Sequence, residues 1–308
     1  MDEFGIIARY FAPLATAPGA FGLTDDAAII PARPGFDLVV TTDQIAAGTD
    51  FFAEDPAGTV AQKALRVNLS DLAAKGARPE YYLLNLALPR PVREDWLAEF
   101  TCGLLEDQRQ FGISLLGGDT SATEGPLSIS ITAMGFVLAG RMVTRSGAKL
   151  GDAVYVTGTI GDSAGGLALL KGEGKGLGEI DRTYLVDRYR VPQPPVAFGN
   201  GLGDIAHAGV DVSDGLIADL GHLASASGVG IVVEGEQVPL SPALKALWGV
   251  DALARAVAAG DDYQTAFTAR PGLSGPFTRI GRVQAGEGVG LRVNGKEVVV
   301  PQPGYRHF

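Results

Sequence analysis

A two-domain fold of the α/β or α+β class is predicted by three features of the chain. Strand-like and helix-like segments are mixed through both halves, the pattern of sheets layered with helices. The 308 residues are enough for two domains. At residues 140–152 Arg141, Arg145 and Lys149 cluster with Gly140, Gly147 and Gly151, a polar, glycine-punctuated stretch where a boundary fits. The predicted domains are residues 1–146 and 147–308.

The elements follow from periodicity and punctuation. Residues 36–42 read as a strand ending at Asp43. Residues 56–75 read as a helix, with Pro56 near the first turn and Gly76 just past the end. Leu65, Leu69 and Leu72 share its apolar face, while Asn68, Asp71 and Lys75 line another. Asp71 therefore projects from a rigid element. A strand at 80–88, a helix at 92–111, a short strand at 113–116 running into Gly117-Gly118-Asp119 and a strand at 127–138 complete the first half. The second half opens with a strand at 153–158, then a glycine-rich turn into a helix through Gly161–Gly166. Residues 171–178 read as a surface loop. Helices are predicted at 181–189, 195–208, 215–227 and 241–258, and strands at 229–234, 263–269, 277–283 and 288–300. No solenoid repeat is present.

Composition narrows the class. Hydrophobic residues make up 46% and charged residues 19%, a globular balance without a disorder signature. The net charge of −10 argues against nucleic acid, which needs clustered Lys and Arg. Anionic small substrates remain compatible if cations bridge them to the protein. Cys102 is the only cysteine, which rules out an intrachain disulfide and a thiolate cluster. The acidic start Met1-Asp2-Glu3 lacks a signal-peptide layout, and no apolar run approaches the ~20 residues of a membrane span. A cytoplasmic location is expected.

Six short acidic motifs carry the chemistry: Thr24-Asp25-Asp26-Ala27-Ala28, Thr41-Thr42-Asp43, Asn68-Leu69-Ser70-Asp71, Gly117-Gly118-Asp119-Thr120, Asp211-Val212-Ser213-Asp214-Gly215 and Gly260-Asp261-Asp262-Tyr263. They are expected at turns between apolar segments. Each alone also reads as a helix cap or an Asx-turn; Asp214 suits the N-cap of the 215–227 helix. Together, small flanking residues and a lack of adjacent Lys or Arg suit Mg2+, which is held by a few carboxylates along with substrate phosphates. Without cations, convergence would be costly: two unit charges ~4 Å apart repel by roughly 4 kcal/mol at an effective dielectric of 20. Phosphoryl transfer between two anionic reactants needs such ions and no strong general base. In agreement, no Ser-His-Asp or Cys-His pairing stands out among His207, His222 and His307, and Walker A and protein-kinase signatures are missing. The Thr157–Gly166 stretch reads equally as a phosphate cradle and as a tight packing turn. Arg145 and Lys149 are the basic candidates for polyphosphate, with a solvated linker as the alternative.

These motifs, in this order and over essentially the whole chain, resemble the thiamine-monophosphate kinase family. Further matching stretches are Ile7–Phe11, Val67–Ala77, Thr144–Lys149, Gly151-Asp152, Thr157-Gly158-Thr159, Gly161–Ala164 and the terminal His307-Phe308. The resemblance implies the aminoimidazole ribonucleotide synthetase-like fold, with an N-terminal domain that dimerises through its sheet and a C-terminal α/β domain over the nucleotide. It implies in-line transfer from ATP to thiamine monophosphate without a phosphoenzyme. It assigns Asp26, Thr41, Thr42, Asp43, Asp71, Asp119, Asp211 and Asp214 to several Mg2+ ions. Gly118, Asp119, Arg145 and Ser213 fall to ATP, with Asp71 and Asp214 as catalytic residues. The chain departs from the family where the acceptor is held: Asp50 stands where a His usually precedes Phe51, Asp261 where Glu is common, and Gln302, beside Tyr305, near where an aromatic often packs. Another ATP-dependent enzyme of the same fold, and a non-catalytic binder descended from the kinase, are the alternatives; a selenophosphate synthetase would carry a reactive Cys near its start.

Overall fold

The computed structural model describes residues 3–300, 304 and 305. Gln302, His307 and Phe308 lie outside the described residues. The chain divides into two compact units, one of Met1–Leu72 and Ala77–Gly140, the other of Ala73–Gly76 and Arg141–Phe308.

The first unit contains α1 (Glu3–Ile6), β1 (Phe36–Ala46), α2 (Ala57–Ala74), β2 (Arg78–Pro89), α3 (Glu94–Phe111), β3 (Ser114–Thr123) and β4 (Ser128–Leu138); the last two residues of α2 count with the second unit. Its sheet runs β1-β4-β2-β3, with β2 and β3 parallel and the other pairs antiparallel. Leu65, Leu69 and Leu72 on α2, Leu97, Phe100 and Leu104 on α3 and Tyr82 on β2 are fully buried. Each such side chain contributes about 1.5–3 kcal/mol relative to exposure. Arg66 links the two helices, donating to Asp107 through Nε at 2.8 Å and Nη2 at 2.7 Å, and Gln108 donates to Tyr82 Oη at 3.1 Å. Gly76, at φ 75°, ends α2: the N–H of Ala77 closes back on Leu72 O at 2.9 Å. Asn68, expected on a face with Asp71 away from the leucines, turns into the interior. It is buried, and its Nδ2 donates to Ala64 O at 3.1 Å.

The second unit contains β5 (Ala153–Thr157), α4 (Asp162–Leu170), α5 (Glu179–Arg190), α6 (Val196–Gly199), β6 (Ala208–Val212), α7 (Leu216–Ser227), β7 (Gly230–Glu234), α8 (Pro242–Trp248), α9 (Ala252–Ala256), β8 (Gln264–Ala269), β9 (Phe277–Gln284), β10 (Val289–Val293) and β11 (Lys296–Val298). Its seven-stranded sheet has the order β11-β10-β7-β9-β5-β8-β6. Val154 and Val156 of β5 and apolar residues of β6, α7 and β7 form its main core with Ile160 and Leu244, while Ala153 and Tyr155 of β5 belong to a second cluster with Phe267.

Several boundaries differ from expectation. β1 runs past Asp43 to Ala46, and β3 runs through Gly117-Gly118-Asp119 to Thr123, so two of the six acidic motifs lie inside strands. Pairing with β4 and β2 supplies backbone partners that override the local turn signals. The helix predicted at 195–208 is only α6 and a 3-10 turn at Leu202–Asp204. At Gly199 a Cβ would meet Ala73 Cα at 2.6 Å, so a close approach replaces a continuous helix. The helix predicted at 241–258 breaks at Gly249, φ 55°, into α8 and α9. The strand predicted at 288–300 is a hairpin turned by Asn294-Gly295, both at positive φ. No helix among the described residues is long and apolar enough to cross a membrane.

Candidate functional site

In the first unit the acidic centre is built from β1 and α2. Alternation along β1 sends Thr41 and Asp43 to one face and Thr42 to the other. The Thr41 hydroxyl donates to Asp71 Oδ2, tying β1 to α2. Thr42 Oγ1 instead donates to Ile131 O at 3.1 Å and accepts from Thr132 Oγ1 at 3.1 Å. Burial, and then the Asp71 charge, push the Asp43 carboxyl up to about 6. Two carboxylates and the Thr41 hydroxyl are thus gathered at one place between β1 and α2. Asp119 is exposed on β3 beside Gly118. Only glycine fits at 118, since φ is 152° and a Cβ would lie 1.7 Å from Leu84 O. Asp26 is exposed in a bend. The structure thus brings Asp43 and Asp71 together, with Thr41, and leaves Thr42 on the opposite face.

Beyond β1, Asp50 holds its own turn: Oδ2 accepts from Ala46 N at 2.8 Å, and its carbonyl accepts from Lys63 Nζ at 2.8 Å. The turn borders a cavity of about 390 Å³ lined largely by apolar side chains, among them Phe51, Val60, Leu88, Trp96 and Leu127, with Arg93 and Asp55 also in the lining.

In the second unit Asp211, near the end of β6, is buried, and Ser213 and Asp214 follow, half-buried, in the loop to α7. Asp219, in the first turn of α7, is buried and accepts from Ser213 N at 3.1 Å and from Asp214 N and Gly215 N at 3.0 Å each. Burial pushes its carboxyl up to about 7 against those donors. Asp214, Asp219 and His222 have ligand atoms within 4.8 Å of one another, the one such group of three among the described residues. Asp219 and His222 were not among the predicted site residues. The signal available for Asp219 was its spacing, an acid in the first turn after an acidic loop.

Asp261 sits at φ 68° and accepts from Tyr263 Oη at 3.1 Å. The left-handed region tolerates Asp better than most residues. Arg145 is exposed. The glycine-rich entry to α4 is a packing turn: Gly161 N donates to Asp262 Oδ2 at 2.7 Å, and a Cβ on Gly161 would lie 2.4 Å from Ala256 Cβ. Burial raises the Asp262 carboxyl well above its usual range.

The fold and its acid-bearing loops define a chain of the AIR-synthase-related class. Residues 24–137 match the AIR synthase related protein N-terminal domain, and residues 149–294 match the C-terminal domain. Thiamine-monophosphate kinase of Salmonella typhimurium is 41% identical over 99% of this chain and 98% of its own. The crystal structure of thiamine-monophosphate kinase from Stenotrophomonas maltophilia is 42% identical, covers 90% of this chain and 91% of its own, and superposes with a TM-score of 0.82. A structure of AaThiL complexed with AMPPCP and TMP is 34% identical, covers 94% and 97% of the two chains, and also has a TM-score of 0.82. The chain belongs to the thiamine-monophosphate kinase family.

Proposed function

We propose that this protein phosphorylates thiamine monophosphate with ATP, giving thiamine diphosphate and ADP. An acceptor phosphate oxygen bonds to the γ-phosphorus of ATP, and the bond from that phosphorus to the β–γ bridging oxygen breaks. ADP leaves with the bonding electron pair. The acceptor is already ionised, so no proton need be removed from it. The observation that carries this reading is the pairing of Asp43 and Asp71 beside the Thr41 hydroxyl in a chain 41% identical to a thiamine-monophosphate kinase over 99% of its length.

Oxygen donors alone make up that centre, as a hard divalent cation requires. We assign Asp26, Asp43, Asp71 and Asp119 in the first unit, and Asp211 and Asp214 in the second, to Mg2+, with Thr41 and Thr42 as hydroxyl candidates. When bound, Mg2+ supplies charge neutralisation for the reacting phosphates. Gly118, Asp119, Arg145 and Ser213 are assigned to ATP. Asp43 lies four residues before Ala47 in the cavity lining, roughly 13 Å along an extended strand. That spacing and the aromatic lining favour the cavity for the rings of the acceptor. Asp50 and Asp261 are assigned to positioning this substrate through their turns, and Gln302 to the same task at the C-terminal end.

The enzyme is read as a cytoplasmic homodimer. Support for the dimer comes from an apolar row on one face of β1, Phe36, Leu38 and Val40, with Leu138 of β4 opposite Phe36, all exposed. The test is incubation of purified protein with Mg-ATP and thiamine monophosphate. Stoichiometric thiamine diphosphate and ADP are expected; nucleotide binding without product would favour the non-catalytic alternative.

A further inference from the structure

We infer that Asp219 is a positioning residue that sets the geometry of the Asp211–Gly215 loop; this rests on the kinase reading above. Three consecutive backbone N–H groups, those of Ser213, Asp214 and Gly215, converge on Asp219 Oδ2 at 3.1, 3.0 and 3.0 Å. Successive N–H groups ahead of a helix form an anion-binding nest, the device with which other loops hold a phosphate. Here an internal carboxylate fills the nest.

The carbonyls of the same residues are also fixed. Ser213 O accepts from Asp261 N at 2.8 Å, Asp214 O from Tyr305 N at 2.9 Å, and Gly215 O from Asp219 N at 2.9 Å. All six backbone polar groups of residues 213–215 are therefore used within the fold. Packing closes what hydrogen bonding leaves. Gly215 sits at φ 133°, and a Cβ on Gly260 would lie 2.3 Å from Ser213 O.

The consequence is chemical. With its N–H groups taken, the loop has none left for a phosphate oxygen. What it presents are the half-buried side chains of Ser213 and Asp214, held at fixed positions. Such a loop recruits a polyphosphate through a cation on Asp214, and Asp219 decides where that carboxylate points.

The experiment compares Asp219→Asn with Asp219→Ala in the full chain. Asparagine keeps a carbonyl oxygen for the three N–H groups; alanine removes it. We expect Asp219→Ala to lower kcat about 10–100-fold, the range for partners that orient ligands, and Asp219→Asn to stay within about threefold of the parent. KM for thiamine monophosphate should change little in either. Hydrogen exchange at the amides of Ser213, Asp214 and Gly215 should quicken about tenfold or more in Asp219→Ala only, as expected for a local opening. Equal damage from both variants would overturn the inference, because charge and not the acceptor would then matter. Parent-like kinetics or exchange in Asp219→Ala would overturn it too. Should Asp219→Ala fail to fold, Asp219→Asn decides alone: retained amide protection supports the tether, and lost protection overturns it. If the parent protein makes no thiamine diphosphate, the kinase reading fails separately, and amide exchange with Mg2+ calorimetry on the same proteins still judges the tether.

Discussion

The two units hold raised carboxylates in opposite ways. In the first, Asp43 is pushed up by burial and by a second acid, Asp71, whose one described donor is the Thr41 hydroxyl. In the second, Asp219 is pushed up mainly by burial, yet three backbone N–H groups already hold one of its oxygens. The same direction of shift thus marks two different jobs. Under the proposed function, the carboxylate beside another acid takes a cation. One whose oxygen is saturated by its own backbone is scaffold. Perturbation alone does not separate the two; the donor inventory does.

The sharpest way to break this contrast is to remove charge while keeping shape. Asp71→Asn should lower kcat by about 10²–10³-fold, the cost of losing one preorganised group that stabilises transition-state charge. Its fold should persist, because the amide oxygen of the introduced asparagine can still accept from the Thr41 hydroxyl. The matching change at Asp219 is expected to be mild. Steady-state rates at saturating Mg-ATP, with circular dichroism as the folding control, compare them. If Asp71→Asn kept most of its activity, the first-unit pair would be scaffold as well, and the contrast would vanish.

A smaller effect tests the scaffold side. Gly260→Ala places a methyl 2.3 Å from Ser213 O, which forces the loop to move. Such overpacking costs typically 1–3 kcal/mol, and urea unfolding should show a loss of about 2 kcal/mol. Because the displaced atoms belong to the loop that carries Asp214, kcat should fall about tenfold, as for partners that orient ligands. Loss of stability with parent-like kcat would mean that loop position does not matter to the reaction.

The sequence carried most of the architecture because its punctuation is strong. Gly76 after the α2 pattern, Gly112 at φ 67° after α3 and Gly228 at φ 66° after α7 each end a helix where it was expected. It misled where a residue type has two uses. Gly117-Gly118-Asp119 looks like a turn, yet glycine at 118 admits a neighbouring strand, a fact set by Leu84 more than thirty positions away. For Gly161 and Gly166 the sequence offered a phosphate cradle and a packing turn equally, and the close approach of Ala256 and Leu185 supports the packing turn. For the candidate site, acid-rich motifs were legible, but their division of labour was not. Whether Asp43 meets Asp71, or Asp219 meets three amides, depends on long-range register and on a helix entry that periodicity does not encode. Asp50 shows the limit well: its departure from the family pattern was visible, while its bond to Ala46 N was not.

The smallest expected effect concerns pH, and it separates the two sides through the proton that a cation must displace. The Asp43 carboxyl is raised from 3.8 to about 6, so the folded protein binds this proton more tightly than the unfolded chain does. Its stabilising contribution is complete below the unfolded value and is lost as pH rises through about 6. A cation on the Asp43–Asp71 pair must displace that proton, so Mg2+ should raise the unfolding temperature more at pH 7 than at pH 5. One pH unit below the folded pKa, competition is about tenfold, or ~1.4 kcal/mol. In domains of this size that is roughly 3 °C. Asp71→Asn removes the repelling charge, lowers the Asp43 pKa and should move the onset of the Mg2+ effect to lower pH. Asp219→Asn should leave that onset where it is. Thermal unfolding from pH 5 to 8, with Mg2+ and with chelator, checks all three curves. A Mg2+ shift that stayed flat across this range in the parent protein would remove the first-unit pair as a cation site. Of the two raised carboxylates compared above, only the one saturated by its own backbone would then keep an assigned job.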